Sequence, residues 1–78
     1  MATVVLYARP GCHLCDEARQ VIEAVRASTP FGFEEIDIEG DDSLLRDYGI
    51  RIPVVAVDGK ELFEISVDPT ALRAAVQA

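Results

Sequence analysis

Cys12 and Cys15 are the residues of this 78-residue chain whose type and spacing best suit covalent chemistry. They follow the chain-breaking sequence Arg9-Pro10-Gly11, at the point where an apolar segment gives way to a helical pattern. Residues three apart in a first helical turn share a face, so the two sulfurs can approach bonding distance. Unpaired N–H groups and the positive end of the helix dipole favour a thiolate there. The pair predicts a reversible dithiol, with Cys12 as the exposed nucleophile and Cys15 as the resolving cysteine.

A Cys-x-x-Cys pair is also half of a zinc site, so metal binding is the main alternative to redox chemistry. The chain has no second pair of cysteines, and His13 lies between the two in sequence, poorly placed to complete a tetrahedron. We therefore predict no metal site within one chain. A metal ion or iron–sulfur cluster held by the cysteines of two chains in a dimer stays open as the alternative function. A purely structural disulfide would contribute little, because its ring is so small.

The charged residues around the cysteines act in opposite directions on a Cys12 thiolate. Arg9 and a protonated His13 would stabilise it, whereas Asp16 and Glu17 would oppose it. The two carboxylates also have a structural explanation, since acidic residues in a first turn favour the helix dipole. For His13 an exposed turn residue without a role is the alternative to tuning the nucleophile.

The first half of the chain predicts a strand, a long helix, a second strand and a short helix. Thr3–Ala8 is a nearly continuous apolar run, which predicts a strand buried on both faces. Apolar residues from Leu14 to Val25 form one stripe of a helix that should end near residues 27–29, before Pro30. A second strand is expected at 33–38. The short helix should be capped by Asp41 or Asp42, end at a left-handed Gly49, and point three side chains inward, namely Leu44, Leu45 and Tyr48.

The second half predicts a hairpin and a final helix. Strands at 53–57 and 60–65 flank Asp58-Gly59, the dipeptide that favours a type I′ turn. Asp68 and Pro69 are typical of an N-cap and a first helical residue, followed by Leu72 and Val76 facing the sheet. The order β-α-β-α-β-β-α predicts an α/β fold with a mixed four-stranded sheet, flanked by helices, in which the first strand is central.

Length and composition limit the remaining possibilities. Seventy-eight residues, half of them apolar, predict one folded domain spanning 1–78. Fourteen acidic residues against seven scattered basic ones give a net charge of −7, which disfavours nucleic acid and anionic membranes as partners. The chain has no apolar run long enough to span a bilayer and no secretory signal pattern, so we expect a cytoplasmic protein. We also expect it to be a monomer.

Over nearly its whole length the chain resembles the glutaredoxin branch of the thioredoxin superfamily. The resemblance rests on the Cys-x-x-Cys pair at a strand-to-helix junction, followed by Ile52-Pro53-Val54 and a hairpin. More closely, the two segments 7–17 (YARPGCHLCDE) and 48–54 (YGIRIPV) are similar to the small glutaredoxin-like proteins of largely unassigned substrate. The resemblance implies a thioredoxin-like fold and a thiol-disulfide oxidoreductase that reduces mixed disulfides of proteins or glutathione. It implies no resident cofactor, with glutathione as a possible co-substrate.

The resemblance also implies roles for the residues before the third strand. Pro53 should be cis and pack beside the cysteines, and the backbone of Ile52 should pair with a bound peptide or glutathione. Arg9 and Arg51 are candidates for binding the carboxylates of glutathione, and His13 completes the predicted substrate-binding residues.

Two features depart from the usual glutaredoxin pattern. His13-Leu14 replaces the Pro-Tyr or similar pair between the cysteines, and Phe63-Glu64 occupies the stretch where a Gly-Gly pair receives part of glutathione. The larger side chains and the added carboxylate should crowd and repel an anionic tripeptide.

Overall fold

The fold is known from a computed structural model that describes residues 2–77. Its four strands and three α-helices follow the predicted order, and a 3-10 turn that was not predicted lies between the second strand and the second helix. The elements are β1 (Thr3–Ala8), α1 (His13–Ser28), β2 (Gly32–Asp37), the 3-10 turn (Ile38–Gly40), α2 (Asp42–Tyr48), β3 (Val54–Val57), β4 (Lys60–Glu64) and α3 (Pro69–Gln77). Within residues 2–77 no helix has the length and apolarity needed to cross a membrane.

The sheet has the strand order β2-β1-β3-β4, with β1 in a central position as predicted. β1 runs parallel to β2 and antiparallel to β3, and β3 runs antiparallel to β4. The sheet is therefore mixed, which confirms the predicted α/β, thioredoxin-like architecture. Asp58 and Gly59 have φ values of +51° and +85°, the two positive values that a type I′ turn requires.

The main core lies between one face of the sheet and the helices α1 and α3. Alternate residues of β1, namely Val4, Leu6 and Ala8, are buried on this face. Ile22 of α1 and Leu72 of α3 have no exposed surface. Burying one such aliphatic side chain contributes about 1.5–3 kcal/mol, so this face supplies most of the stabilisation by apolar burial.

The opposite face of β1 is covered less completely than predicted. Val5 and Tyr7 are only half-buried. Tyr7 stacks on Tyr48 with the ring centroids 4.2 Å apart. Tyr48 is the last residue of α2, a helix of seven residues, which is too short to cover a whole sheet face. The predicted burial of β1 on both faces is therefore wrong, although all four residues of β3 are buried.

Three strands differ from their predicted bounds by one residue. β2 covers 32–37 rather than 33–38, because the fully buried Ile38 opens the 3-10 turn. β3 begins at Val54 rather than at Pro53, and β4 ends at Glu64 because Ile65 leaves the strand with φ of +74°. The predicted end of α1 and the Asp68-Pro69 start of α3 are confirmed, with the Asp68 carboxylate accepting a hydrogen bond from the Thr70 N–H at 2.9 Å.

The end of α2 differs from the prediction in its backbone. Gly49 has φ of −50° and ψ of −38°, so it is right-handed and not left-handed. A Cβ atom at this position would collide with the carbonyl oxygen of Leu45. The glycine is thus required by close packing of the chain against itself and not by φ. Leu44, Leu45 and Tyr48 of this helix are half-buried and pack against the core.

Candidate functional site

The cysteine pair lies where β1 leads into α1. Gly11, with φ of +76°, turns the chain, and Cys12 is extended and caps the helix. Its sulfur accepts a hydrogen bond from the backbone N–H of Cys15 at 3.2 Å, and its carbonyl accepts one from Asp16 at 3.1 Å. Cys12 therefore takes the place of the serine or aspartate that usually satisfies the first N–H groups of a helix.

The two sulfurs differ in their access to solvent. The structure joins Cys12 and Cys15 in a disulfide, with the Cα atoms 5.2 Å apart, within the usual range for such a bond. Cys12 is half-buried, whereas Cys15 has no exposed surface and packs in the core. The pair is thus built so that one sulfur is open to a reaction partner and the other is held behind it.

Pro53 lies at the same end of the sheet as the cysteines. The Ile52–Pro53 peptide bond is cis, as the resemblance implied. Tyr7 pairs with Val54 in the antiparallel ladder, so Pro53 comes next to the end of β1, from which the chain continues to Cys12. Pro53 is fully buried, and Ile52 is 9% exposed. The pairing of the Ile52 backbone with a bound peptide stays a prediction.

The two basic residues predicted near the pair, Arg9 and His13, are exposed. The Nε2 atom of His13 lies 3.6 Å from a carboxylate oxygen of Glu17. Arg9 lines a cavity of about 140 Å³ together with Asp16 and Arg19. Both residues are therefore close to Cys12 in the sequence, and their roles in substrate binding stay predictions.

Arg51 is held by the protein itself. Its guanidinium donates to carboxylate oxygens of Glu61 and Glu64 at 3.0 and 3.2 Å, and to the carbonyl oxygen of Asp47. It also lies 5.2 Å from the ring centroid of Tyr48. Hydrogen bonds with two carboxylates raise the pKa of Arg51, and the bond with Glu61 contributes more than the bond with Glu64. The side chain therefore ties the end of α2 to β4, and a role in binding substrate carboxylates would require it to exchange these partners.

Sequence reasoning missed an ion-pair network that fixes α1 against the sheet. Arg19 donates to both carboxylate oxygens of Glu35 on β2, at 2.7 and 2.6 Å, and to Asp16 at 2.7 Å. The hydrogen bond from Arg19 lowers the pKa of Glu35. The Asp16–Arg19 spacing is a local helix signal, whereas the partner on β2 becomes visible only in the fold. Arg19 also neutralises Asp16, one of the two carboxylates expected to oppose a Cys12 thiolate.

Sequence reasoning also missed the aromatic pair on the second face of the sheet. The pKa of Tyr48 is raised to about 12, mainly because the side chain is partly buried and secondly because its hydroxyl forms a hydrogen bond with Tyr7. The stacked rings lie between the end of α2 and β1, and Arg51 packs over the ring of Tyr48. Neither tyrosine carries a periodic signal that would have paired them from the sequence.

Metal binding within one chain has no geometric basis in the part of the chain that the structure describes. There, no three histidine, cysteine, aspartate or glutamate side chains cluster as metal ligands would. A site shared between two copies of the chain stays a prediction.

A mixed four-stranded sheet, a helix opened by a Cys-x-x-Cys disulfide and a cis-proline at the same sheet end define a thioredoxin-like protein with a redox-type site. Residues 3–77 match the family described as Glutaredoxin-like domain (DUF836), and the chain belongs to that family. This membership, the fold and the cysteine geometry together support a redox role for Cys12 and Cys15.

Some proteins of known structure are similar to this chain in both fold and sequence, and others in fold alone. A structural genomics target protein from X. campestris is 35% identical, with a TM-score of 0.80 over 95% of each chain. A protein from Nitrosomonas europaea is 33% identical, with a TM-score of 0.81 over 94% of this chain and 88% of that one. A mutant thioredoxin from Halobacterium salinarum is 22% identical, with a TM-score of 0.70 over 97% of this chain and 72% of that one, and shows the fold alone.

Curated relatives show the same family in distant organisms. An uncharacterized protein of Mycobacterium tuberculosis is 32% identical over 91% of this chain and 78% of its own length. A glutaredoxin-like protein of Dictyostelium discoideum is 35% identical over 85% of this chain and 67% of its own.

Proposed function

We propose that this protein is a thiol-disulfide oxidoreductase that reduces disulfides of proteins or mixed disulfides with glutathione. The observation that carries the proposal is the contrast between the two sulfurs. Cys12 reaches solvent at a helix N-terminus, and Cys15 is sealed behind it within bonding distance. That arrangement suits a nucleophile and a resolving thiol.

The reaction is a pair of thiol-disulfide exchanges that together move two electrons. The Cys12 thiolate attacks one sulfur of the substrate disulfide, so that a mixed disulfide forms and the first substrate thiolate leaves. The Cys15 thiolate then attacks the Cys12 sulfur and expels the second substrate thiolate. The substrate is reduced to two thiols and the protein is left with the Cys12–Cys15 disulfide, the state that the structure describes. An external thiol reductant, of the glutathione or dithiol class, returns the protein to the dithiol.

The position of Cys12 supports its role as the attacking sulfur. In the disulfide state the N–H of Cys15 points at the Cys12 sulfur, and α1 extends behind it for sixteen residues. After reduction the same N–H and the positive end of the helix dipole stabilise negative charge on that sulfur. The protein supplies this stabilisation in advance, so a thiolate needs little reorganisation of the backbone.

The residues around the pair supply the remaining parts of the proposal. The Ile52 backbone and cis-Pro53 would form the edge along which an extended substrate lies. Arg9 and His13 would provide positive charge for substrate carboxylates, joined by Arg51 when it exchanges its partners Glu61 and Glu64. We propose a protein without a resident cofactor, with glutathione as an optional co-substrate. A monomer in the reducing cytoplasm, where the pair would be restored to the dithiol, completes the proposal.

Two single substitutions test the proposal. Cys12→Ser should abolish reduction of a model protein disulfide, because the hydroxyl of serine is not nucleophilic enough at neutral pH. Cys15→Ser should retain the first exchange and accumulate a mixed disulfide with substrate, which mass spectrometry of the intact protein would detect. Activity that survives in Cys12→Ser, or Cys15→Ser protein that never carries an adduct, would refute the assigned roles.

A further inference from the structure

A groove runs along α1 from the first turn of that helix. One wall is made by side chains at helical spacing, beginning with Leu14 between the two cysteines, and the other wall is the loop that joins β4 to α3. The apolar lining residues are Leu14, Ala18, Val21, Ile65 and Val67. Leu14 and Ile65 are 45% and 44% exposed, although both are large apolar side chains. The groove therefore presents apolar surface beside the first turn of α1, the turn that the cysteine pair opens.

Ile65 adopts a backbone conformation that its side chain disfavours. Its φ is +74°, and a β-branched residue in the left-handed region is a genuine outlier. The Ile65 N–H donates to the carbonyl oxygen of Pro53 at 2.8 Å, so the loop is fixed to the cis-proline segment. The side chain does not recover this cost by burial within the chain. Such local strain concentrates at functional sites, and here it places an isoleucine on the wall of the groove.

The size of the groove fits one side chain. Its volume is about 170 Å³. An apolar cavity of about 150 Å³ accommodates a benzene molecule, and pockets for drug-sized ligands begin near about 300 Å³. A leucine, methionine or phenylalanine side chain fits this space, whereas a whole glutathione molecule does not.

The charge around the groove indicates the sign of the partner. Glu17 lines the groove with a side chain that is 58% exposed, and the whole chain carries a net charge of −7. One carboxylate at the groove of a negatively charged protein favours basic segments over the anionic glutathione tripeptide.

We propose that this groove selects the substrate by binding one apolar side chain of an extended polypeptide. In the substrate sequence, this apolar residue lies close to the cysteine that Cys12 attacks and next to a basic residue. Disulfides of proteins with such sequences are then preferred over mixed disulfides with glutathione. The inference rests on the proposed function, because it assigns a substrate class to the same cysteine pair. Ile65 and Leu14 are the specificity-determining contacts.

Single-turnover reduction of synthetic peptides tests the preference. Each peptide contains one cysteine residue, which is joined by a disulfide bond to a molecule of the amino acid cysteine. Leu or Ser lies within two positions of this cysteine residue, and Lys or Glu lies next to the Leu or Ser. Pre-reduced protein should oxidise about tenfold faster with the Leu peptides than with the Ser peptides, a ratio equivalent to about 1.4 kcal/mol. The Lys peptides should react faster than the Glu peptides, and that advantage should shrink at high salt. A glutathione mixed disulfide of the Ser peptide should react more slowly than the Leu-Lys peptide.

Matched variants locate the effect in the groove. Ile65→Gly removes the side chain at a position whose positive φ suits glycine, so the loop is retained, and the Leu-to-Ser ratio should fall below about threefold. Leu62→Ala removes an apolar side chain of similar exposure outside the groove and should leave the ratio unchanged. Glu17→Gln should lower the Lys-to-Glu ratio, whereas Glu23→Gln, at an exposed site on the same helix that does not line the groove, should not.

The outcomes separate this inference from the function on which it depends. Peptides that are all reduced at equal rates, or a ratio that survives in Ile65→Gly, would overturn the groove and leave the oxidoreductase intact. Protein that reduces none of the disulfides would refute the proposed function instead. In that case methyl NMR with a Leu-Lys peptide carrying Ala in place of Cys still decides the groove. The Ile65 and Val67 methyl signals should shift on titration, and unchanged signals would overturn the inference.

Discussion

Gly49 offers a direct test of how α2 is joined to the loop that carries Ile52 and Pro53. The Gly49 N–H closes the helix by donating to the Leu45 carbonyl at 2.9 Å, and a Cβ atom added to Gly49 would meet that same oxygen. Gly49→Ala must therefore displace the carbonyl or break the hydrogen bond. Overpacking typically costs about 1–3 kcal/mol and a lost hydrogen bond about 0.5–1.5 kcal/mol.

We expect Gly49→Ala to lower the free energy of unfolding by about 2 kcal/mol, because the backbone relieves part of the collision by moving. For a domain of this size such a loss lowers Tm by roughly 8–16 °C. Gly40→Ala is the matched control, since a Cβ atom at Gly40 meets nothing within 4 Å and its φ is not positive. Its effect should stay within about 0.5 kcal/mol, or be slightly stabilising. Thermal and urea denaturation of both variants, each in oxidised and reduced form, provides the measurement.

Equal stability of the two alanine variants would contradict a collision at Gly49. Gly49 would then be an ordinary helix-terminal glycine, and the close approach to Leu45 would have no energetic consequence. A large loss in Gly40→Ala would show that the surroundings of that residue are more restricted than the structure indicates.

Three further predictions follow from named contacts. Cys12→Ala should destabilise the reduced protein by about 1 kcal/mol relative to Cys12→Ser, because serine retains the helix cap and alanine does not; urea denaturation measures both. Glu35→Gln should cost about 1 kcal/mol at pH 7, a value that allows for the screening of a pair whose side chains are about one-third exposed. Because the pKa of Glu35 is lowered in the folded state from 4.5, its contribution is present above that value and is lost as the pH falls through the folded pKa. In alkaline titration of tyrosine absorbance, Tyr48→Phe should remove the transition near pH 12.

Each of these predictions has a contradicting result. Equal stability of the two Cys12 variants would show that the sulfur does not act as a cap. A Glu35→Gln defect that persists at pH 2 would assign the loss to packing and not to charge, with Glu34→Gln, an exposed neighbour on β2, as the control. A tyrosine transition near pH 12 that survives in Tyr48→Phe would place the raised pKa elsewhere.

Local chemistry explains the elements that the sequence analysis predicted correctly. Asp58-Gly59, Asp68-Pro69 and the stripe along α1 act through residues a few positions apart, and each appears in the structure as expected. The same holds for the cysteine pair, whose spacing and position at a helix start are local properties. The cis state of Pro53 came from the resemblance, since sequence alone favours trans.

The features that were missed depend on contacts between distant segments or on disfavoured conformations. Arg19 meets Glu35 sixteen residues away, and Tyr7 meets Tyr48 only after the sheet has formed. The left-handed Ile65 contradicts its own propensity, so no rule of local preference would predict it. Gly49 shows the reverse case, because glycine near a helix end suggested positive φ, whereas packing against Leu45 is what excludes a side chain.

The burial of Cys15 has a consequence for the order in which oxidants in solution meet the two sulfurs. Peroxides and electrophiles in solution reach thiolates that are accessible, and oxidation beyond the sulfenic acid is irreversible for most proteins. With no exposed surface on Cys15, such reagents meet Cys12 first. A sulfenic acid formed on Cys12 lies beside a shielded thiol that condenses with it to the disulfide and releases water, so the first oxidation product is recovered in a form that a thiol reductant restores.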